Sequence, residues 1–451
     1  MDTQSKTSAR QLGFWMCVAL VVGNMIGSGI FLLPASLAPY GMNSVLAWVL
    51  TAAGAVLLAF VFSGLSRAFP TAEGPYAYIR MAFGDLAAFV AAWGYWVSVW
   101  VGNAAIATGA VSYLSHLVPW IATQPGASAA VTVAFVWLLT AVNVYGLRAA
   151  GRVQVVTTVL KILPLLAIAG LGIYLAVSTD SRLAWSSPGA APMSLDAVTS
   201  AATLTLWALL GFESASVAAE RVIDPERNIP RATMLGTILT AVIYILSCTA
   251  VLLVIPAQQL AASTAPFADV ATLFWGHSAG LWLALFAAIS GLGALNGWIL
   301  LQGQLPFQMA RSGLFPKVFA RLSPRQTPAA ALCISSTLVT ALVLMNYGKS
   351  MVEIFTFMIL LSTTATLVMY LLCALAVLVL LRNGKLVASG RRAAWLAVAG
   401  VLGTVYALWT LVGAGKEAVL WGFVLLAAAV PVYYTMRRLR GRTPLNATGQ
   451  A

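Results

Sequence analysis

The chain has 451 residues, 61% of them hydrophobic and only 8% charged, with a formal net charge of +13 and a mean hydropathy of +0.92. A soluble domain carries about 25% charged residues, so a soluble enzyme or soluble binding module is excluded and the chain reads as an all-α integral membrane protein. The basic excess does not indicate nucleic acid, because it is distributed over successive loops rather than gathered on one face.

Apolar runs of about 20 residues, the length that crosses the hydrocarbon core, predict twelve transmembrane helices. In chain order they fall at 12–36, 45–64, 86–115, 128–147, 153–177, 197–219, 232–255, 278–309, 328–346, 352–381, 394–413 and 417–436. The first is expected to be retained as a span, since no small-residue cleavage site follows it. Lysines and arginines lie in the tails and in every second loop, as at Arg67, Arg80, Arg148, Arg231, Arg311, Arg391, Arg392 and Arg438, whereas the alternate loops hold only Arg182, Lys349 and Lys416. By the positive-inside rule both termini are cytoplasmic. Cys17, Cys248, Cys333 and Cys373 stand singly, and His116 and His277 have no ligand partner at a metal-binding spacing. Neither a metal site, a disulfide framework, a cofactor site nor a nucleophile–base pair is expected.

Within the first run, Gly23-Asn24-Met25-Ile26-Gly27-Ser28-Gly29 places three glycines, an asparagine and a serine where a helix is expected, although each glycine costs about 1 kcal/mol relative to alanine. A second interruption, Leu210-Gly211-Phe212-Glu213-Ser214, lies in the sixth run. The glycines admit two readings: close helix packing, or a discontinuous helix whose freed backbone groups face protein or a water-filled cavity. Five spans separate the clusters, so the two segments cross in opposite directions. This is the pattern of an inverted repeat whose halves each open with a broken helix around a midplane site. A half-helix N-terminus would then offer N–H donors to a substrate carboxylate.

Glu213 is the only carboxylate at mid-span depth, where a charge is costly unless it faces a cavity. It can balance a cationic substrate, carry a proton, or hold a gate by hydrogen bonding. Lys161 sits deep in the fifth run. It either snorkels outward or acts as an internal cation among broken-helix carbonyls, which implies transport without sodium. Tyr95, Trp96, Trp207, Trp298, Phe355 and Tyr370 supply aromatic surfaces, of which Trp207 and Trp298 can attract a cation by about 2 kcal/mol when desolvated. Asn103 adds an amide donor and acceptor in the third run.

These stretches resemble the amino acid–polyamine–organocation transporters, and within them the basic amino acid/polyamine antiporters that exchange arginine for agmatine. The resemblance is carried by GNMIGSGIFLLP (23–34), GPYAYIRMAFG (74–84), WVGNAAIATGAVSYL (100–114), LWALLGFESASVAAERVIDPERNIPRAT (206–233), ASTAPFADVA (262–271), GWILLQGQ (297–304) and GLFPKVFAR (313–321). It implies a leucine-transporter-like 5+5 inverted repeat with broken helices 1 and 6: a tail at 1–11, repeats at 12–180 and 196–383, two further helices within 394–437, and a tail at 438–451. It also implies amino-acid and amine substrates, a bacterial inner-membrane location and a homodimer.

Carried over residue by residue, the resemblance makes Asn24, Ile26, Gly27, Ser28 and Gly29 substrate contacts at the first break. Ser98, Val99, Asn103 and Ile106 become contacts in the third span, and Trp207, Leu210, Trp298, Phe355 and Ser362 contacts elsewhere. Tyr95, Glu213 and Tyr370 become a gate and proton sensor. Val99 and Ile106 stand where the arginine/agmatine antiporters have cysteine and methionine, and Leu210 replaces an isoleucine. Lys161 is the larger departure, shared with proton-coupled and neutral amino-acid members. The implied function is exchange of arginine for agmatine by alternating access; a neutral exchanger or proton-coupled permease, and an amino-acid sensor with a transporter-like core, are the alternatives.

Overall fold

The computed structural model describes residues 12–27, 29–69, 74–145, 150–178, 190–213, 222–311, 313, 315–387 and 390–441. Ser28 and residues 214–221, including Ser214, lie outside the described residues.

The fold is helical throughout. The first run forms α1 (Phe14–Met25) and α2 (Gly29–Leu37), which meet at 45° and are followed by a short 3-10 turn and α3 (Met42–Ala68). Next come α4 (Pro75–Phe83), α5 (Asp85–Leu117), the four-residue α6 (Trp120–Thr123), α7 (Ala127–Tyr145) and α8 (Ala150–Val177). The sixth run opens as α9 (Leu195–Ala208), with Ser194 as N-cap accepting from the Ala197 amide. The remainder is α10 (Pro225–Val254), two short helices α11 (Ala257–Ala262) and α12 (Pro266–Trp275), α13 (His277–Arg311), α14 (Ala329–Met345), α15 (Met351–Arg382), α16 (Gly390–Gly413), α17 (Gly415–Ala427) and α18 (Ala429–Gly441). Ser350 and Glu353 close a capping box at the start of α15.

Among the described residues, eight helices are long and apolar enough to cross a membrane, or nine when the bent α1–α2 pair counts as one span. Of the twelve predicted spans, the sixth is described only as far as Glu213, the fifth corresponds to the 28-residue α8, and the ninth to α14, a helix of 17 residues. Large apolar side chains such as Leu138, Tyr174, Val177, Trp282 and Val405 are exposed, as a surface facing lipid requires.

The core lies around α5, whose residues from Gly94 to Val111 are buried without interruption. α13 and α15 pack along it, α3 packs against α9 and α10, and α1 lies on α10. Leu12, just before α1, pairs with Val222, just before α10, in an isolated bridge, with Ile223 N donating to Leu12 O at 2.9 Å.

Small residues let these helices approach. A methyl group on Gly413 would overlap the carbonyl oxygen of Thr199 and the hydroxyl of Thr203, on the facing turn of α9. Because a backbone carbonyl cannot rotate aside, Gly413→Ala is expected to destabilise the protein by about 1–3 kcal/mol, read as a lowered unfolding temperature in detergent.

Candidate functional site

The first break begins where Ile26 leaves the helix with φ −77° and ψ 95°, its amide still bonded to Val22 O at 2.9 Å. The carbonyls of Gly23 and Ile26 lose the amide partners that a continuous helix supplies, and Met25 O accepts one amide, that of Gly27, at 3.0 Å. Two distant side chains replace them. Lys161 Nζ donates to Gly23 O and to Ile26 O, each at 2.8 Å, and Tyr244 Oη donates to Met25 O at 2.9 Å. Lys161 is fully buried, and no carboxylate of the described residues lies within 4.0 Å of it. Its charge therefore rests on carbonyl dipoles, and it does not snorkel.

The second break follows α9. The amides of Leu209 and Leu210 bond three residues back, to Leu206 O and Trp207 O, which tightens the last turn. Gly211 then takes φ +106°, a conformation that a Cβ penalises. The space beside it is not the constraint, since a Cβ there would lie at an ordinary contact distance of 3.4 Å from the backbone of Asn24; the two breaks lie side by side at this point.

A cavity of about 60 Å³ opens where the breaks meet, room for a few water molecules. Of the residues predicted from sequence, Asn24 and Gly27 line it from the first break, and Trp207, Leu210 and Glu213 from the second. Tyr95, Ser98, Val99 and Ile106 present one face of α5, Trp298 comes from α13 and Ser362 from α15.

Other predicted residues stand behind this wall. Gly29 leaves no room for a side chain, because a Cβ there would overlap the Trp207 ring. Phe355 meets the same ring edge-on at 5.7 Å, and Ser362 Oγ accepts from Trp207 Nε1 at 3.3 Å while donating to Ser98 O at 2.9 Å. Trp207 is thus fixed from three sides. Ile26 contributes its carbonyl to Lys161 and is itself buried.

Asn103 also sits behind the lining. Its Nδ2 donates to Gln302 Oε1 at 2.8 Å, and Gln302 Nε2 donates to Ser336 Oγ at 2.9 Å. This run of bonds fixes the orientation of both amides and leaves Asn103 Oδ1 as a buried acceptor with no partner among the described residues.

Tyr370 sits beneath Glu213. The carboxylate accepts from Tyr95 Oη at 2.9 Å and from Tyr370 Oη at 2.6 Å. Phe62, Phe212 and Tyr370 pack with ring centroids 4.9 to 5.4 Å apart, which sets the Tyr370 ring in apolar surroundings. The two hydroxyls donate to opposite oxygens of one carboxylate, so Glu213 joins α5 and α15 to the second break.

Several residues at the site were not singled out in the sequence. Met25, Ile30, Gly102, Ala208, Tyr244 and Thr366 line the cavity. Helical spacing could have found Gly102, which continues the Tyr95–Ser98–Ile106 face, and Thr366, one turn beyond Ser362. Nothing in the local sequence distinguishes Tyr244 or Gln302.

A bundle of apolar helices around a cavity at two helix breaks, lined by apolar side chains with a few polar groups such as Asn24 and Glu213, is the arrangement of a membrane carrier of small solutes. The chain belongs to the amino acid permease family, whose model matches residues 12–445; within the amino acid–polyamine–organocation superfamily, its similarities fall in the basic amino acid/polyamine antiporter branch. It is 34% identical to the cadaverine/lysine antiporter of Escherichia coli (strain K12) over 75% of this chain and 76% of that one. It is 32% identical to a putative arginine/ornithine antiporter of Bacillus subtilis (strain 168) over 83% and 86%, and 30% identical to the putrescine transporter PotE of E. coli K12 over 93% and 95%. The protein is an amino-acid transporter and not an enzyme.

Removing the ammonium leaves two carbonyls of the break without their donor, at several kcal/mol for groups shut away from water. Lys161→Ala is therefore expected to reduce uptake into proteoliposomes to a small fraction of the original rate, whereas the unaltered protein transports equally with sodium or choline as the external cation. Full activity in the variant would remove Lys161 from the mechanism.

Proposed function

We propose that the protein is an inner-membrane antiporter that exchanges a cationic amino acid, arginine, for its decarboxylated amine, agmatine, by alternating access. The observation that carries this reading is the Glu213 carboxylate on the wall of a cavity that also presents Trp207 and Trp298. A carboxylate attracts a guanidinium or ammonium end, and a desolvated indole face adds about 2 kcal/mol of cation–π attraction. Gly27, Ser28 and Gly29, at the N-terminal end of α2, are the proposed seat of the α-carboxylate and α-amine, where helix amides favour an anion. The relatives named for lysine with cadaverine, for arginine with ornithine, and for putrescine support a cationic substrate class.

In this reading residues 12–180 and 196–383 form two inverted repeats, helices within 394–437 lie outside them, and the tails at 1–11 and 438–451 are cytoplasmic. Asn24, Ser98, Val99, Asn103, Ile106, Leu210, Phe355 and Ser362 shape the pocket around the substrate. Tyr95, Glu213 and Tyr370 act as the gate, opening when protonation of Glu213 loosens its two hydroxyl bonds. Exchange follows because a substrate shifts the inward–outward equilibrium only by its different affinity for the two states.

Lys161 favours a second reading. Its internal cation does what a coupling ion would do, and the apolar Val99, Ile106 and Leu210 on the cavity wall suit a neutral side chain, so proton-coupled transport of a neutral amino acid is the competing assignment.

Reconstituted protein is expected to exchange external labelled arginine for internal agmatine; uptake of alanine or leucine that arginine does not compete would select the second reading. Glu213→Gln keeps the size of the group and removes its charge, and is expected to flatten the pH dependence of exchange. An unchanged pH profile would dismiss Glu213 as the proton-sensing group.

A further inference from the structure

Two apolar grooves lie on the outer face of the bundle and meet at one arginine. The first, of about 600 Å³, runs between α3 and α16, past Leu57, Phe60, Trp395, Val398 and Leu402, with Arg391 and Arg392 at its mouth. The second, of about 640 Å³, runs between α3, α10 and α16, past Phe60, Met234, Leu235 and Ile238, with Arg67, Arg231 and Arg392 at its mouth. Phe60 and Arg392 belong to both. In the second groove α3 and α16 touch at Gly64, where a Cβ would overlap Leu396.

All four arginines are at the same end of their helices' shared layer: Arg67 closes α3, while Arg231 opens α10 and Arg391 and Arg392 open α16. Each is exposed, and no carboxylate of the described residues lies within 4.0 Å of any of them. Arg67 Nε is held by the main-chain carbonyl of Glu226 at 3.3 Å. From Arg392 to Leu402 is ten residues, about 15 Å of helix rise, which is half of a hydrocarbon core of roughly 30 Å. The first groove is therefore as deep as one leaflet; the second extends seven residues, about 10 Å, from Arg231 to Ile238, and both have their positive charge at the mouth, where phosphates lie.

We propose that this double groove binds an anionic phospholipid with two phosphates and four acyl chains, of the cardiolipin class. One phosphatidyl half lies in each groove, and Arg392 bridges the two phosphates. Arg391 adds charge on one side, and Arg67 and Arg231 on the other. Arginine suits this task because its guanidinium can grip a phosphate with two parallel hydrogen bonds. A basic pocket between transmembrane helices is the recognised setting for such headgroups. A second copy of the chain is the poorer occupant: a twofold contact over the first groove would set Arg391 and Arg392 against their own counterparts with no acid to neutralise them.

The test is native mass spectrometry of the full-length protein released from detergent, with cardiolipin, phosphatidylglycerol or phosphatidylethanolamine added. The unaltered protein is expected to retain one cardiolipin at least about tenfold more strongly than the single-phosphate lipid, and phosphatidylethanolamine least. Replacing Arg231, Arg391 and Arg392 together by glutamine is expected to weaken cardiolipin retention by at least about tenfold, since each basic residue near a lipid surface contributes several-fold. The same number of charges lost elsewhere, by Arg437→Gln, Arg438→Gln and Lys385→Gln, is expected to leave it intact.

Equal retention of all three lipids, equal loss in both triple variants, or a lipid-free dimer that the first triple variant abolishes would each overturn the proposal. If the first triple variant does not fold, the unaltered protein still decides the matter: cardiolipin must raise its unfolding temperature more than phosphatidylglycerol at matched phosphate, and an equal rise refutes a two-phosphate site.

Discussion

A helix that breaks inside the hydrocarbon core must find hydrogen-bond partners for the backbone groups it releases, because lipid offers none. The Lys161 ammonium on Gly23 O and Ile26 O, with the Tyr244 hydroxyl on Met25 O, meets that requirement on one side of the first break. Most of the central architecture depends on it. The bonds tie α1 to α8 and α10 and hold Ile26 in its extended conformation, so that α2 leaves at 45° and the chain at Gly27 turns toward the cavity. A charge that would cost several kcal/mol in lipid is stabilised by carbonyls that would themselves be costly unpaired. Each solves the other's problem.

On the opposite side of the cavity the constraint is steric. Trp207 occupies space that exists only because position 29 has no side chain, and Phe355 and Ser362 hold the indole where it is. At Gly211 the constraint is conformational, a φ of +106° that a Cβ penalises. Below, Glu213 binds the hydroxyls of Tyr95 from α5 and Tyr370 from α15. A change in the charge of one carboxylate thus acts on three elements at once.

The parts of this site that violate local rules were legible in the sequence. Glycines, an asparagine and a serine in an apolar run contradict helix propensity, and Glu213 and Lys161 contradict the solvent around them; both kinds of conflict mark function. Residues that break no rule gave no signal. Tyr244 looks like any aromatic residue in an apolar helix, and Gln302 like a polar residue near a helix end. Asn103 was visible as an amide, but Gln302 and Ser336 decide which of its atoms is left as an acceptor. The two lipid-facing grooves were equally hidden, since their arginines read only as positive-inside charge.

Composition, run length and charge spacing by themselves determined that the chain is a helical membrane protein, where its helices run, and that two of its apolar runs are interrupted by polar and glycine residues. These are short-range properties, fixed by what each segment does in water, in lipid or in a helix. Tertiary structure alone decided which partner satisfies which broken backbone group, because the bonds to Gly23, Met25 and Ile26 join residues 138, 219 and 135 positions apart. No periodicity along the chain encodes a contact at that range. It exists only once packing has brought α1, α8 and α10 together.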